Sequence, residues 1–330
     1  MKRSGRPQRE LETMISKAIL LVGGKGTRLM PLTTDTPKPM LRIAGAPVTE
    51  HQIVKARDAG VTEIVLATSY LAEVFQPYFG DGSRYGIKIS YAIEEEPLGT
   101  GGAIANAANE LNLNDEESVY IFNGDVLSGH DLQAQAKLHF ENKADATLHL
   151  IEVADARAFG CVPIASDGRV LEFLEKMDKP KANSINAGCY IFTAESLAAI
   201  PNGQVVSVER ETFPNWLADE RKIFGYLDSN YWIDIGTPAS MIKASRDLVS
   251  RKSESLIAAD VKVGESSIID RGSYIDAGAE IGANCHISGS IIGSGAVIED
   301  GAIIENSYIA PNSRVKSGSN LSEIIHGFEK

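Results

Sequence analysis

Residues 23–40, GGKGTRLMPLTTDTPKPM, place three glycines in four positions beside Lys25 and Arg28, with Lys38 set between Pro37 and Pro39. Glycines at that density let backbone N–H groups approach an anion with no Cβ in the way, and the neighbouring cations suit a phosphate. An ATPase-type loop needs G-x-x-x-x-G-K-[ST], whereas Gly26 is followed here by Thr27 and Arg28. A dinucleotide fingerprint needs a third glycine where Leu29 stands. Both readings fail, and a phosphate loop of another type remains. The net charge is −12, so an anionic ligand must be met by such a local cluster of cations. That balance also disfavours a nucleic-acid surface, which usually shows as a basic face.

The elements that must carry this loop follow two patterns. Up to about residue 250, short apolar runs alternate with helical ones, which predicts an α/β sheet. Predicted strands are AILLVG at 18–23, EIVLAT at 63–68, IKISYA at 87–92, SVYIFNG at 118–124, ATLHLIEV at 146–153, AGCYIFT at 187–193 and KIFGYLD at 222–228. VTEHQIVKARDAG predicts a helix ending at Gly60, and TPASMIKASRDLV another, with Thr237 as N-cap and Pro238 at its first position. Beyond SRKSES at 250–255 the period becomes six: Val263, Ile269, Ile275, Ile281 and Ile287, resuming after a step of five at Ile292, Ile298 and Ile304, then at Ile309 and Val315. This spacing predicts a parallel β-helix in which each apolar residue stacks on its counterpart one coil away.

The chain of 330 residues is long enough for two unequal domains. The expected division is a disordered tail at 1–14, a catalytic domain at 15–250 and a hexapeptide-repeat domain at 256–320. No apolar run reaches the roughly 18–20 residues of a membrane span, and the N-terminal apolar run is too short for a signal peptide. Cys161, Cys189 and Cys285 are widely spaced, with no zinc-type pattern. These features predict a reduced, cytoplasmic protein with no membrane partner.

The motif G-G-x-G-T-R-L-x-P-L-T at 23–33, followed by P-K-P at 37–39, resembles the sugar-1-phosphate nucleotidylyltransferases without a mismatch. EEPLGTGGAI, NGDV, FLEK, INAGCYIF, VSVERETFP and YWIDIGTP bring it most like the members that use GTP and mannose 1-phosphate. The resemblance covers nearly the whole chain, since several members append a hexapeptide β-helix. It implies a Rossmann-like mixed or parallel sheet, then a left-handed parallel β-helix. The implied reaction is attack by a sugar-1-phosphate oxygen on the α-phosphorus of the nucleotide, with release of pyrophosphate. That oxygen is already ionised near neutral pH, so positioning and charge neutralisation should carry catalysis.

The resemblance implies that the nucleotide lies against Leu21, Gly23, Gly24, Gly26, Thr27 and Arg28, with Arg28 a planar fork on the β- and γ-phosphates. It implies that Lys38 meets phosphate near the reacting centre. Asp125 and Asp234 correspond to the family's ligands for Mg²⁺, although either Asp alone reads equally as a turn or cap residue. On the sugar side it implies Gly124 against the ring, Glu175 on the hydroxyls, Lys176 on the sugar's phosphate, and Asn186; relatives read E-K-P where this chain has EKMDKP, which leaves Lys179 as a competitor to Lys176. Backbone groups at Leu98, Gly99 and Thr100 are expected to read the base, with Glu94, Glu95 or Glu96 as the acidic acceptor and Glu209 reaching toward the sugar. His130 and Asp131 are expected to be solvated or capping. Arg28, Lys38, Asp125 and Lys176 form the catalytic set. Other sugar 1-phosphates (glucose or heptose, with UTP, dTTP or GTP) and a catalytically silent regulatory subunit are the alternatives. The repeat domain, whose His286 has no general-base partner among its sequence neighbours, is expected to serve stability or homo-oligomer formation.

Overall fold

A computed structural model describes residues 14–251, 255–270 and 272–328. The tail expected at 1–14 therefore lies, but for Met14, outside the described residues. The chain forms two compact units: residues up to Gly24 together with Thr49–Trp232, and Lys25–Val48 together with the chain from Ile233 onward.

The first unit is built on a nine-stranded mixed sheet. Its strands are β1 (Lys17–Leu21), β2 (Glu63–Thr68), β3 (Lys88–Ile93), β4 (Ser118–Asn123), β5 (Ala146–Glu152), β6 (Gly160–Cys161), β7 (Leu174–Glu175), β8 (Ser184–Thr193) and β9 (Ile223–Asp228). The main order is β7-β6-β8-β4-β1-β2-β3, with β5 pairing both β8 and β9. β1 runs parallel to β2 and β4, whereas β8 is antiparallel to β4 and β5. This is the predicted α/β class, and each predicted strand is present. Helices α1 (Val48–Asp58), α2 (Gly99–Ala108) and α3 (Leu132–Glu141) belong to the same stretch of chain. Ile19, Val65, Ile104, Ile121 and Leu148 form one buried core with Tyr190, Phe192, Phe213 and Trp216. Pairing of Leu21 with Asn123 sets the carboxyl ends of β1 and β4 side by side, the position at which open α/β sheets present ligand groups.

The second unit holds a parallel β-helix of the expected left-handed hexapeptide type, preceded by helix α4 (Pro238–Ser250). Thr237 caps α4 by accepting from Ser240 N, as its sequence predicts. Ile275, Ile292 and Ile309 stack in register, as do Ile281, Ile298 and Val315. The first coil is offset by 18 residues from the next (Leu256 to Tyr274), and later coils by 17 (Tyr274 to Ile291 to Tyr308). The steps of five in the sequence are thus one tightened corner per coil. Ser290 and Ser307 are fully buried at these corners, and Ser273 at the equivalent place in the first, longer coil. Ser290 Oγ accepts from Ser307 N at 3.1 Å and Ser307 Oγ from Ile324 N at 3.2 Å, a ladder that satisfies backbone donors inside the turn. Val263, in the first coil, is 45% exposed, because only one side of it is covered by a following coil.

Inside the first unit three histidines are buried, contrary to the solvated role expected of His130. His130 stacks on His149 with centroids 3.8 Å apart, Lys55 Nζ lies 3.0 Å from His130 Nδ1, and Asp228 Oδ1 is 3.9 Å from His149 Nε2. Burial pushes His139 and His149 down to about 4 and His130 to about 2, the last aided by repulsion from His149 and Lys55. The unfolded chain takes up these protons near pH 6.5 and the folded chain does not. Stability is therefore complete above pH 6.5 and lost as pH falls from 6.5 toward 4, by up to about 1.4 kcal/mol per histidine per pH unit. Thermal melts between pH 7 and 4 should show this decline. His149→Phe, which keeps the stack and removes one titrating group, should flatten it; an unchanged slope would refute the assignment.

Candidate active site

In the first unit, the loop leaving β1 carries Gly23 and Gly24. A Cβ on Gly23 would lie 2.6 Å from Ser69 Oγ, a hydroxyl that would have to rotate away to admit it. Gly24 differs: its φ is +107° and a Cβ there would meet nothing within 4 Å. Its backbone faces open space in a conformation that suits glycine, as an approach to a ligand would need. Beside it, Gly124 N donates to Leu21 O at 2.9 Å, and a Cβ on Gly124 would come within 2.4 Å of that oxygen. Gly124 thus closes β4 onto β1 and sets Asp125 just past the strand end.

The INAG stretch lies within β8, which begins three residues before the predicted strand. The β8–β5 register shifts between Asn186 and Tyr190, a bulge centred on Gly188 with φ +75°, and bulges often re-aim side chains beside functional sites. Asn186 Nδ2 donates to Tyr190 Oη at 2.7 Å, and its Oδ1 accepts from Gly188 N at 3.0 Å. Glu175 ends β7 half-buried. Lys176 follows with φ +43°, a left-handed conformation that costs a non-glycine residue on the order of 1 kcal/mol. Its ammonium is 3.8 Å from Glu175 Oε1 and its side chain is 63% exposed, free to swing toward an anion. Lys179 is exposed as well.

The GTGG stretch opens α2, and its glycines answer to packing. Cβ atoms on Gly99 and Gly102 would fall 2.6 Å from Val206 O and 2.3 Å from Gln204 O. Gly101 N donates to Val206 O at 2.8 Å. Thr100 Oγ1 donates to Glu209 Oε2 at 2.7 Å and accepts from Val208 N at 2.9 Å, so its hydroxyl has no donor left to offer a base. Glu94 Oε2 accepts from Leu98 N at 3.1 Å, and burial raises its carboxyl above the ordinary range. Glu95 and Glu96 are exposed.

The second unit brings three sequence-distant motifs together. Gly26 (φ +56°) precedes a 3₁₀ turn, Thr27–Leu29, pinned by fully buried Leu29 and leaving Arg28 exposed. A Cβ on Gly26 would lie 3.0 Å from Lys38 Cβ. Lys38 is buried, and its Nζ is 3.7 Å from Asp234 Oδ1. A Cβ on Gly236 would lie 2.9 Å from Asp234 Oδ1 and 3.0 Å from Arg28 Nη2. Gly236 is therefore the surface on which the Arg28 fork and the Asp234 carboxylate meet. Sequence reading did not single it out, although the G of WIDIGTP was its signal.

Asp125 and Asp234 offer hard carboxylate oxygens, the donor type suited to Mg²⁺. Among the described residues no cluster of three or more His, Cys, Asp or Glu side chains could hold a metal. Mg²⁺ takes few protein ligands and completes its shell with phosphate and water, so a single carboxylate of this type is compatible with it. Asp131 is a capping residue, accepting from Gln133 N and Ala134 N at the start of α3. His286 does have an acidic partner, Asp270, at 2.8 Å from one coil earlier, invisible as a sequence neighbour. No helix among the described residues is long and apolar enough to cross a membrane.

Residues 17–251 match the nucleotidyl transferase family, and residues 252–327 match the GMPPB C-terminal domain. The mannose-1-phosphate guanylyltransferase of Mycobacterium tuberculosis is 52% identical over 233 residues, covering 70% of this chain and 64% of that protein. The mannose-1-phosphate guanylyltransferase catalytic subunit beta of Danio rerio is 36% identical, covering 68% and 62%. This chain thus spans less than two thirds of the length of these two relatives. Mannose-1-phosphate guanylyltransferase 1 of Arabidopsis thaliana is 35% identical over 267 residues, covering 78% and 73%. Among solved structures, HddC from Yersinia pseudotuberculosis, also solved in complex with GMP-PN, matches with a TM-score of 0.60 at 29% identity, covering 71% of this chain and 100% of that one.

Proposed function

We propose that this chain, which belongs to the nucleotidyl transferase family, transfers GMP from GTP to mannose 1-phosphate and releases pyrophosphate. The observation that carries this reading is the 52% identity to the mannose-1-phosphate guanylyltransferase of Mycobacterium tuberculosis. The meeting of Arg28, Lys38 and Asp234 around Gly26 and Gly236 supports the reaction type.

In this reading the sugar phosphate supplies its own nucleophile, an ionised oxygen, and no side chain need abstract a proton. The backbone at Gly24 and Gly26 approaches the triphosphate, and Arg28 grips its β- and γ-phosphates as a charged fork. Lys38, nearly buried and stiffened by a proline on each side, offers a fixed positive charge near the α-phosphate, where charge grows during displacement. Glu175 accepts from sugar hydroxyls, exposed Lys176 meets the sugar's phosphate, and Gly124 and Asn186 shape the ring's contact. Backbone groups at Leu98–Thr100 read the guanine edge. Asp125 and Asp234 would hold Mg²⁺, which when bound supplies Lewis-acid neutralisation of phosphate charge.

A panel of sugar 1-phosphates against GTP, ATP, UTP and dTTP, scored by pyrophosphate release, tests the proposal. The highest kcat/KM is expected for GTP with mannose 1-phosphate. A higher value for any other pair would replace the proposed substrates.

A further inference from the structure

We infer that Gln52, on α1, is the positioning residue of the turn that carries Asp125. Its Nε2 donates to Asn123 O at 2.7 Å and to Val126 O at 2.8 Å, the two carbonyls that bracket Gly124 and Asp125. Carbonyl oxygens only accept, so the amide can face the turn only with its nitrogen. The other end of the amide confirms the commitment: Oε1 is buried with no hydrogen-bond partner, and the residue is 6% exposed. An apolar side chain of the same size would remove the orphaned Oε1 but would take this donor from Asn123 O and Val126 O, so the amide's burial is tied to holding the turn. What the amide does provide is a rigid bridge across four residues of backbone.

Lys55, one turn later on the same face of α1, extends this clamp. Its ammonium donates to Ser128 O at 2.8 Å and Ser128 Oγ at 3.0 Å. α1 therefore ties down Asn123, Val126 and Ser128, while Gly124 N is held by Leu21 O at 2.9 Å. Gln52 acts through the backbone: it sets where the Asp125 Cα sits and so where the carboxylate can point. Supports of this indirect kind commonly change metal affinity by about 10–100-fold when removed.

The inference rests on the proposed reading of Asp125 as a metal ligand, and its test separates the two. Mn²⁺ alone is titrated into the nucleotide-free full chain and followed by water-proton relaxation, beside amide hydrogen exchange over residues 121–128. Gln52→Met, matched in length and lacking the donors, is expected to weaken Mn²⁺ binding about tenfold. It should speed exchange at 121–128 with the rest of the sheet unchanged. In turnover assays the half-activating Mg²⁺ concentration should rise while kcat at saturating Mg²⁺ stays close to the parent. Gln52→Lys, which restores a donor of similar reach, should recover the parent values. If Gln52→Met does not fold, Gln52→Leu, smaller and likewise without the donor, should give the same shifts. Unaltered Mn²⁺ affinity and exchange in the donor-less variant, where Asp125→Asn abolishes Mn²⁺ binding, would overturn the positioning role. Parent-like Mn²⁺ binding by Asp125→Asn would instead overturn the metal reading beneath it.

Discussion

Replacing Asp125 with Asn is expected to slow pyrophosphate release about 10³-fold, on the order of 4 kcal/mol of lost transition-state stabilisation. Asn keeps the shape of the side chain and removes the negative charge, so the change tests chemistry more than packing. The backbone around it is held independently, by Gly124 N on Leu21 O and by Gln52 on Asn123 O and Val126 O. The fold should therefore survive, with an unchanged melting transition near neutral pH. The measurement is a single-turnover rate across a wide range of Mg²⁺ and Mn²⁺ concentrations. A deficit that more metal repairs only in part fits a ligand whose charge is lost. Near-parent turnover at ordinary Mg²⁺ would remove Asp125 from the catalytic set.

Arg28→Ala should lower kcat/KM for GTP by about 10²–10³-fold, since a bidentate charged contact on a triphosphate is worth a few kcal/mol. Arg28 is exposed, and the turn that carries it is anchored by buried Leu29, so its loss leaves the surrounding packing in place. Arg28→Lys should recover only a small part of the loss. An ammonium is a point charge and lacks the planar fork that the guanidinium brings beside Gly236. GTP affinity by calorimetry and the rate of pyrophosphate release should fall together. An unchanged GTP affinity in Arg28→Ala would refute the phosphate role.

Much of this protein is legible in short stretches of its sequence. EIVLAT became a strand over its own six residues, Glu63–Thr68, because a short continuous apolar run with β-branched residues acts within one segment. The β-helix was legible for the same reason repeated many times: a period of six states which side chain turns inward, coil after coil. GGKGTRL, PKP and WIDIGTP each pointed to the nucleotidyl transferase family through residue types that few other tasks require together.

Other features depended on partners far along the chain. The GTGG stretch reads as backbone offered to a base, while Gly99 and Gly102 are also pressed by Val206 and Gln204, about a hundred residues on. His130 read as solvated, and only the fold sets it against His149 and Lys55. The acidic partner of His286 stands one coil away at Asp270, where no local reading would look. Gln52 looked like one more helical polar residue until the Asp125 turn was seen against it. By itself the sequence determined seven of the nine strands of the sheet, the coils of the β-helix and the family its motifs point to, because periodicity and composition act locally. The tertiary structure decided what each glycine makes room for and which buried polar groups find partners. Those are properties of the space opposite a side chain, and residues remote in the sequence fill that space.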